Sequence, residues 1–195
     1  MDEVDRTVAA YESDANAFVE KYHEESVAEL YGDPFVEALP GDRVLDVGCG
    51  PGPDLAAFRE ADLEPIGLDP TASFLRAAAV RLRAVPLLRG DMRRLPLADA
   101  SVDGVWSSAS FLHVPRDEAE PTMREFRRVL RSDGVAFVSV KRFDPDEYDA
   151  GGRHFEYYRL AEFRELLVDA GFEPVDVRTQ GKWIAALVTP SCWPS

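Results

Sequence analysis

The sequence predicts an α/β fold, a mostly parallel sheet with helices packed on both faces. Three observations carry this expectation. Short apolar runs alternate with helical stretches of about 10–15 residues, a glycine-rich turn follows the first run directly, and the second run ends on an aspartate. The chain has 195 residues, 46% of them hydrophobic, which suits a single domain with one core. Val8, Tyr11, Ala15, Phe18 and Tyr22 recur in steps of three and four with acidic residues opposite, predicting one amphipathic helix. Gly32, Asp33 and Pro34 break that rhythm. Residues 1–40 are therefore expected to form a helical cap over a core spanning 41–195. Val44 to Val47 is the first strand and runs into Gly48, Cys49, Gly50, Pro51, Gly52 and Pro53. Next come a helix from Asp54 to Ala61, a strand from Pro65 to Leu68 closing on Asp69, and a helix from Thr71 to Arg83. Pro86 to Arg89 and Val102 to Ser107 read as the third and fourth strands. Met123, Phe126, Val129 and Leu130 mark a helix stopped by Ser132, Asp133 and Gly134, and Val135 to Val140 is the fifth strand. Leu160 to Ala170 is helical with Gly171 as its stop, and Glu173 to Arg178 and Trp183 to Val188 close the chain as strands. Gly151 and Gly152, set among Asp and Tyr residues, read as a mobile loop rather than a domain boundary.

Charge narrows the partners. Thirty-six acidic residues against 22 basic ones give a net charge of −14, which repels phosphate backbones and anionic membrane surfaces. Neither nucleic acid nor a membrane is an expected partner. Only Lys21, Lys141 and Lys182 are lysine; the other basic residues are arginine. An acidic, lysine-poor surface fits a halophile's high-salt cytoplasm, and an arginine-rich proteome would produce it as well. Cys49 and Cys192 are too few and too far apart for a disulfide framework. The acidic N-terminus lacks the basic start of a signal peptide, and no apolar run approaches the ~20 residues of a membrane span. A cytoplasmic location is expected, as a monomer or homodimer.

In an open α/β sheet, ligands bind beyond the carboxyl ends of the strands, where the strand order reverses. Gly48, Gly50 and Gly52 let ligand atoms approach the backbone there without a Cβ in the way. A carboxylate at Asp69 can accept both hydroxyls of a ribose. The loop is not a dinucleotide fingerprint, because Pro53 stands where a third small residue belongs, and it lacks the Gly-Lys-Ser/Thr of a phosphate loop. Asp46, just ahead of the loop, repels phosphate but suits a cationic amino group. A positively charged nucleoside satisfies all of these features.

Val44-Leu45-Asp46-Val47-Gly48-Cys49-Gly50-Pro51-Gly52 resembles the first motif of the class I S-adenosylmethionine-dependent methyltransferases. Gly67-Leu68-Asp69 resembles their ribose-binding strand end, and Gly90-Asp91-Met92 with Leu95-Pro96-Leu97 and Ser101-Val102-Asp103 resembles the segment along the adenine. Arg128-Val129-Leu130-Arg131-Ser132-Asp133-Gly134 resembles the passage into the fifth strand, with Ser and Asp where the family has Pro and Gly. The resemblance implies a Rossmann-like, mostly parallel sheet of seven strands with an antiparallel last strand, matching Trp183 to Val188. It implies S-adenosyl-L-methionine as cofactor, with Asp46, Gly48, Cys49, Gly50 and Gly52 at its methionine end. Asp69 would take the ribose, Asp91 the adenine amino group, and Met92 would pack on the ring. Asp91 as a turn cap and Met92 as core are the bland alternatives.

Methyl transfer by in-line displacement needs positioning and exclusion of water more than it needs protein chemistry. A general base is required only when the acceptor must lose a proton. His113 is the candidate base or substrate ligand; a loop histidine capping a helix is the alternative. Tyr11, Trp106, Ser107, His113 and Tyr157 are candidate substrate contacts, with His154 and Tyr158 in the same late segment as Tyr157. Lys141 and Arg142 either attract an anionic substrate or sit in solvent. Scattered histidines and distant cysteines give no metal-ligand spacing, and Ser107, Ser108 and Ser110 lack a nucleophile-elbow pattern. No Asn/Asp-Pro-Pro-Tyr/Phe motif follows the fourth strand. The expected acceptor is therefore a small molecule offering O, C, S or a small amine. A non-catalytic S-adenosylmethionine-binding regulatory or scaffold module and a nicotinamide oxidoreductase are the competing readings.

Overall fold

The computed structural model describes residues 2–23, 25–144 and 152–191. Four short helices precede the first strand. They are α1 (Glu3–Ser13), α2 (Ala15–Tyr22), α3 (Val27–Tyr31) and α4 (Asp33–Ala38). The single N-terminal helix expected from the periodicity is thus two helices. Asp14 leaves the helical region at φ −131°, ψ 35°, and the Ser13 hydroxyl just before it donates to the Ala10 carbonyl. Such local side-chain bonding competes with helix continuation. Gly32 ends α3, whereas Asp33 and Pro34, expected to be breakers, begin α4; proline is tolerated in a first turn because its missing N–H has no partner there.

The core follows as β1 (Arg43–Val47), α5 (Pro53–Glu60), β2 (Glu64–Asp69), α6 (Ala72–Arg81), β3 (Leu87–Arg89), β4 (Val102–Ser107), α7 (Arg116–Val129) and β5 (Leu130–Arg142). It closes with β6 (Tyr157–Tyr158), α8 (Leu160–Asp169), β7 (Phe172–Gln180) and β8 (Trp183–Pro190). The strand order is β3-β2-β1-β4-β5-β8-β7, with β8 antiparallel to both of its neighbours. The two-residue β6 adds an eighth, parallel strand beside the end of β5, which the sequence did not suggest.

Alternation along the strands splits the core. Leu45, Val47, Val105, Ala136 and Val138 pack with Met123, Phe126, Phe163 and Leu167 from α7 and α8. Val44, Trp106, Val135 and Phe137 face the other way, against Phe35 of α4 and Phe58 of α5. Period-two alternation under two helical layers is what a doubly covered sheet requires. The expected turn at Ser132, Asp133 and Gly134 is instead part of β5. Val102 opposes Leu130 and Gly104 opposes Val135, so β5 carries extra residues in a bulge. A Cβ on Gly134 would lie 2.8 Å from the Asp103 carbonyl oxygen, so the bulge closes tightly only without one. Gly151 and Cys192 lie outside the described residues.

Strand order reverses between β1 and β4, and the chain leaves their carboxyl ends in opposite directions. The cap helices α1 and α2 lie over this point, leaving a cavity of about 950 Å³.

Candidate active site

The glycine loop is pinned to the neighbouring strand. The N–H groups of Gly48 and Cys49 both donate to the Leu68 carbonyl (2.7 and 3.1 Å), and Gly50 N–H donates to Asp69 Oδ2 at 3.0 Å. Gly48 has φ +79°, and a Cβ there would meet Ser110 Cβ at 2.3 Å. Gly50, at φ +54°, would meet nothing within 4 Å, because that side of its backbone faces open space. The turn therefore presents bare backbone to the cavity.

Three carboxylates converge under it. Asp54, in the first turn of α5, is fully engaged: Ser26 Oγ (2.7 Å) and Ala28 N–H (3.0 Å) donate to Oδ1, and Trp106 Nε1 (2.7 Å) donates to Oδ2. It ties the cap to α5 and β4. Asp69 accepts from Gly50 and from Thr71 N–H at 2.7 Å, yet burial raises its pKa to about 6. Asp46 differs from both. It is buried, its Oδ2 has no hydrogen-bond partner among the described residues, and its pKa is pushed well above the usual carboxylate range by desolvation and then by Asp54 and Asp69. A buried polar atom without a partner costs free energy unless something binds it. A cation bound there would favour the charged carboxylate that burial disfavours. The Cys49 thiol, buried beside Asp46, is likewise raised and so is not a reactive thiolate.

Above the loop, Tyr11 and His113 meet. The His113 Nδ1 lies 2.6 Å from the His154 carbonyl oxygen, which can only accept, so Nδ1 carries the proton. Nε2 then accepts from the Tyr11 hydroxyl at 3.0 Å. Burial drives the Tyr11 pKa up to about 12. His154 N–H donates to Thr7 Oγ1 (2.8 Å), and Ser73 donates to Glu12, so α1 is fastened along its length. Asp91 and Met92 also line the cavity. The Asp91 carboxylate accepts from Arg93 N–H and Nε, both at 2.8 Å, while Arg93 also bridges to Asp2 and Glu118.

Several expected contacts are corrected. Trp106 does not face the cavity; it is fully buried, stacked on Phe137 with centroids 4.0 Å apart and edge-on to Phe35 and Phe58. The Ser107 hydroxyl is buried against Ser110 Oγ (2.8 Å), which in turn donates to the Val47 carbonyl, so Ser107 braces the loop. Tyr157 lies outside the cavity in a shallow recess beside Arg116 and Arg159, and Tyr158 is core. Gly52 turns toward Leu82 rather than the cavity. Arg153, Phe155, Lys182 and Arg178, which the sequence did not single out for the site, line it. Among them only Lys182 carried a signal, the rarity of lysine in this chain.

Residues 45–138 match the family model for a methyltransferase domain. A demethylmenaquinone methyltransferase of Renibacterium salmoninarum is 34% identical over 113 residues, 56% of this chain and 47% of the relative. An uncharacterized methyltransferase of Oceanobacillus iheyensis is 26% identical over 147 residues, 74% of this chain and 68% of the relative. Over this span the chain is similar to S-adenosylmethionine-dependent methyltransferases. The 1,6-didemethyltoxoflavin-N1-methyltransferase of Burkholderia thailandensis, solved with its substrate and S-adenosylhomocysteine, shares the fold. Its TM-score is 0.72 at 22% identity, covering 98% of this chain and 92% of that one. The chain spans about half the length of most of the curated relatives it matches.

The residues of this site fit the cofactor of those relatives, S-adenosylmethionine, on their own geometry. The orphan Asp46 Oδ2 matches a cationic amino group, and the open face of Gly50 matches a ligand lying against the backbone. Among the described residues, no group of three or more His, Cys, Asp or Glu converges as metal ligands would, and no helix is long and apolar enough to cross a membrane.

Proposed function

We propose that this chain transfers a methyl group from S-adenosylmethionine to a small-molecule acceptor held under the N-terminal cap. The observation that carries this reading is the unpartnered, buried carboxylate of Asp46 beside a bare-backbone loop, in a cavity of about 950 Å³. That volume is at the upper end for small-ligand pockets and leaves room for two ligands side by side. Asp46 would hold the α-amino group, Asp69 the ribose hydroxyls, and Asp91 and Met92 the adenine. When bound, the cofactor supplies an activated methyl group. The protein orients an acceptor against it and keeps water out through the cap.

Tyr11 and His113 sit where an acceptor would lie. With Nδ1 tied to the His154 carbonyl, His113 takes a proton only at Nε2, the atom the Tyr11 hydroxyl occupies. For an acceptor that must lose a proton, His113 is the base, through Tyr11 or directly once α1 moves. The whole of 1–195 works as one domain in this reading, since residues from 4 to 185 line one cavity.

The test is incubation of the purified protein with S-adenosylmethionine and pools of small acceptors, measuring S-adenosylhomocysteine release. Acceptor-dependent release supports the proposal. Tight cofactor binding with no turnover across all pools would instead favour a cofactor-binding scaffold, and NAD binding would favour an oxidoreductase.

A further inference from the structure

The chain contains three lysines, and Lys21, Lys141 and Lys182 all line the one cavity, although they come from α2, the end of β5 and the β7–β8 turn. Arg153 and Arg178 join them. In a chain of net charge −14 this is a local concentration of basic residues, equal in number to the carboxylates that line the cavity among the described residues. The carboxylates lining the cavity are Asp46, Asp54, Asp69 and Asp91, at the glycine-loop end, and Glu25 from the cap. Away from the glycine loop, two of the cations share one aromatic ring. Lys141 Nζ lies 4.6 Å and the Arg153 guanidinium 4.9 Å from the centre of Phe155, whose ring is 4.7 Å from that of His113. The Lys182 carbonyl accepts from Arg142 N–H at 2.8 Å, which sets the β7–β8 turn beside the end of β5. Trp183 and Phe137 supply apolar wall between.

We infer that this basic, aromatic end of the cavity selects an acceptor that is a small, flat molecule carrying a negative charge, such as a carboxylate or a phenolate-type anion. The inference rests on the methyltransferase reading for the acidic end and adds what the other end receives. Cations stationed on an aromatic face at a partly enclosed cavity favour an anion over a neutral or cationic ligand of the same size. Lysine on a long stem reaches such a group as a point charge without imposing bidentate geometry, which suits a small acceptor. An acceptor already ionised has a nucleophilic lone pair and does not need a base in the site.

Three naphthalene probes of one size test this: 1-naphthoate, 1-naphthamide and 1-naphthylmethylammonium, titrated by fluorescence into the full chain with and without saturating S-adenosylhomocysteine. The naphthoate is expected to bind about tenfold more tightly than the amide, the ammonium more weakly than either. Raising KCl should erode the preference for naphthoate over the amide. The double variant K141Q/K182Q should abolish that preference while S-adenosylhomocysteine affinity stays within about twofold of the parent. Equal binding of the three probes, tightest binding of the ammonium, or a preference that survives in a folded K141Q/K182Q protein overturns the inference. Loss of S-adenosylhomocysteine binding with the naphthoate preference intact would instead overturn the cofactor assignment alone.

Discussion

The two ends of the cavity are built in opposite ways. At the acidic end Asp46, Asp54 and Asp69 come from a single strand–helix–strand unit, β1-α5-β2, and every one is buried. At the basic end the lining cations come from a cap helix, two strands and two turns, with exposed or half-exposed side chains, and Lys141 and Arg153 rest on the Phe155 ring. The first arrangement holds charge rigidly in a desolvated place and demands a specific counter-group. The second gathers charge adaptably. A cofactor that never varies suits the first, and an acceptor that differs between relatives suits the second.

The comparison predicts separable responses. Asp69→Ala should weaken S-adenosylhomocysteine binding by about a hundredfold in calorimetric titration, since two charge-assisted hydrogen bonds are lost, and should leave naphthoate binding unchanged. Were both ligands weakened alike, the two ends would not be independent sites. Asp54→Ala should cost about 2–3 kcal/mol in urea unfolding, because the Trp106 indole, the Ala28 N–H and the Ser26 hydroxyl lose their shared acceptor. An unchanged midpoint would sink its role as the tie between cap and core.

Asp46→Asn sharpens the contrast further. It should lower S-adenosylhomocysteine affinity about tenfold while raising the thermal midpoint of the ligand-free protein. The sign follows from its raised pKa: the folded protein holds this proton more tightly than the unfolded chain, so the carboxyl costs stability increasingly as pH rises above the ordinary carboxylate range. The gain from asparagine should therefore grow between acidic and alkaline melts; a gain that shrank would refute the burial account. The smallest effect belongs to the surface. With 36 acidic residues against 22 basic, added KCl should raise the melting midpoint by screening self-repulsion. A protein most stable in dilute buffer would end the proposal of salt adaptation.

Legibility in the sequence follows the same division. The acidic end was readable because Asp46, the glycines and Asp69 lie next to each other along the chain, at strand ends where the fold class places ligands. Trp106 was misplaced because the end of β4 was read as all facing the ligand. Strand alternation instead turns its ring to Phe35 and Phe137, and only its neighbours at 108–110 reach the cavity. The basic end was readable only at Lys141, which was read either as attracting an anionic substrate or as solvated. Lys21 and Lys182 look like isolated surface charges until the β7–β8 hairpin returns alongside β5 and the cap folds over both. Ser132, Asp133 and Gly134 have a turn's composition, yet pairing with β4 absorbs them as a bulge. In each case the missing information was long-range pairing, which local periodicity does not carry.

The central claim is that buried carboxylates at the β1 and β2 ends hold an S-adenosyl nucleoside. Calorimetric titration of S-adenosylhomocysteine from about pH 8 down to about pH 5 tests it directly, because the Asp69 carboxyl, at about 6, loses its charge within that window. Binding near neutrality that weakens as pH falls through about 6, with the step lost in Asp69→Asn, is the expected result. Absence of binding at neutral pH, or one affinity across the whole range in the parent protein, would contradict it.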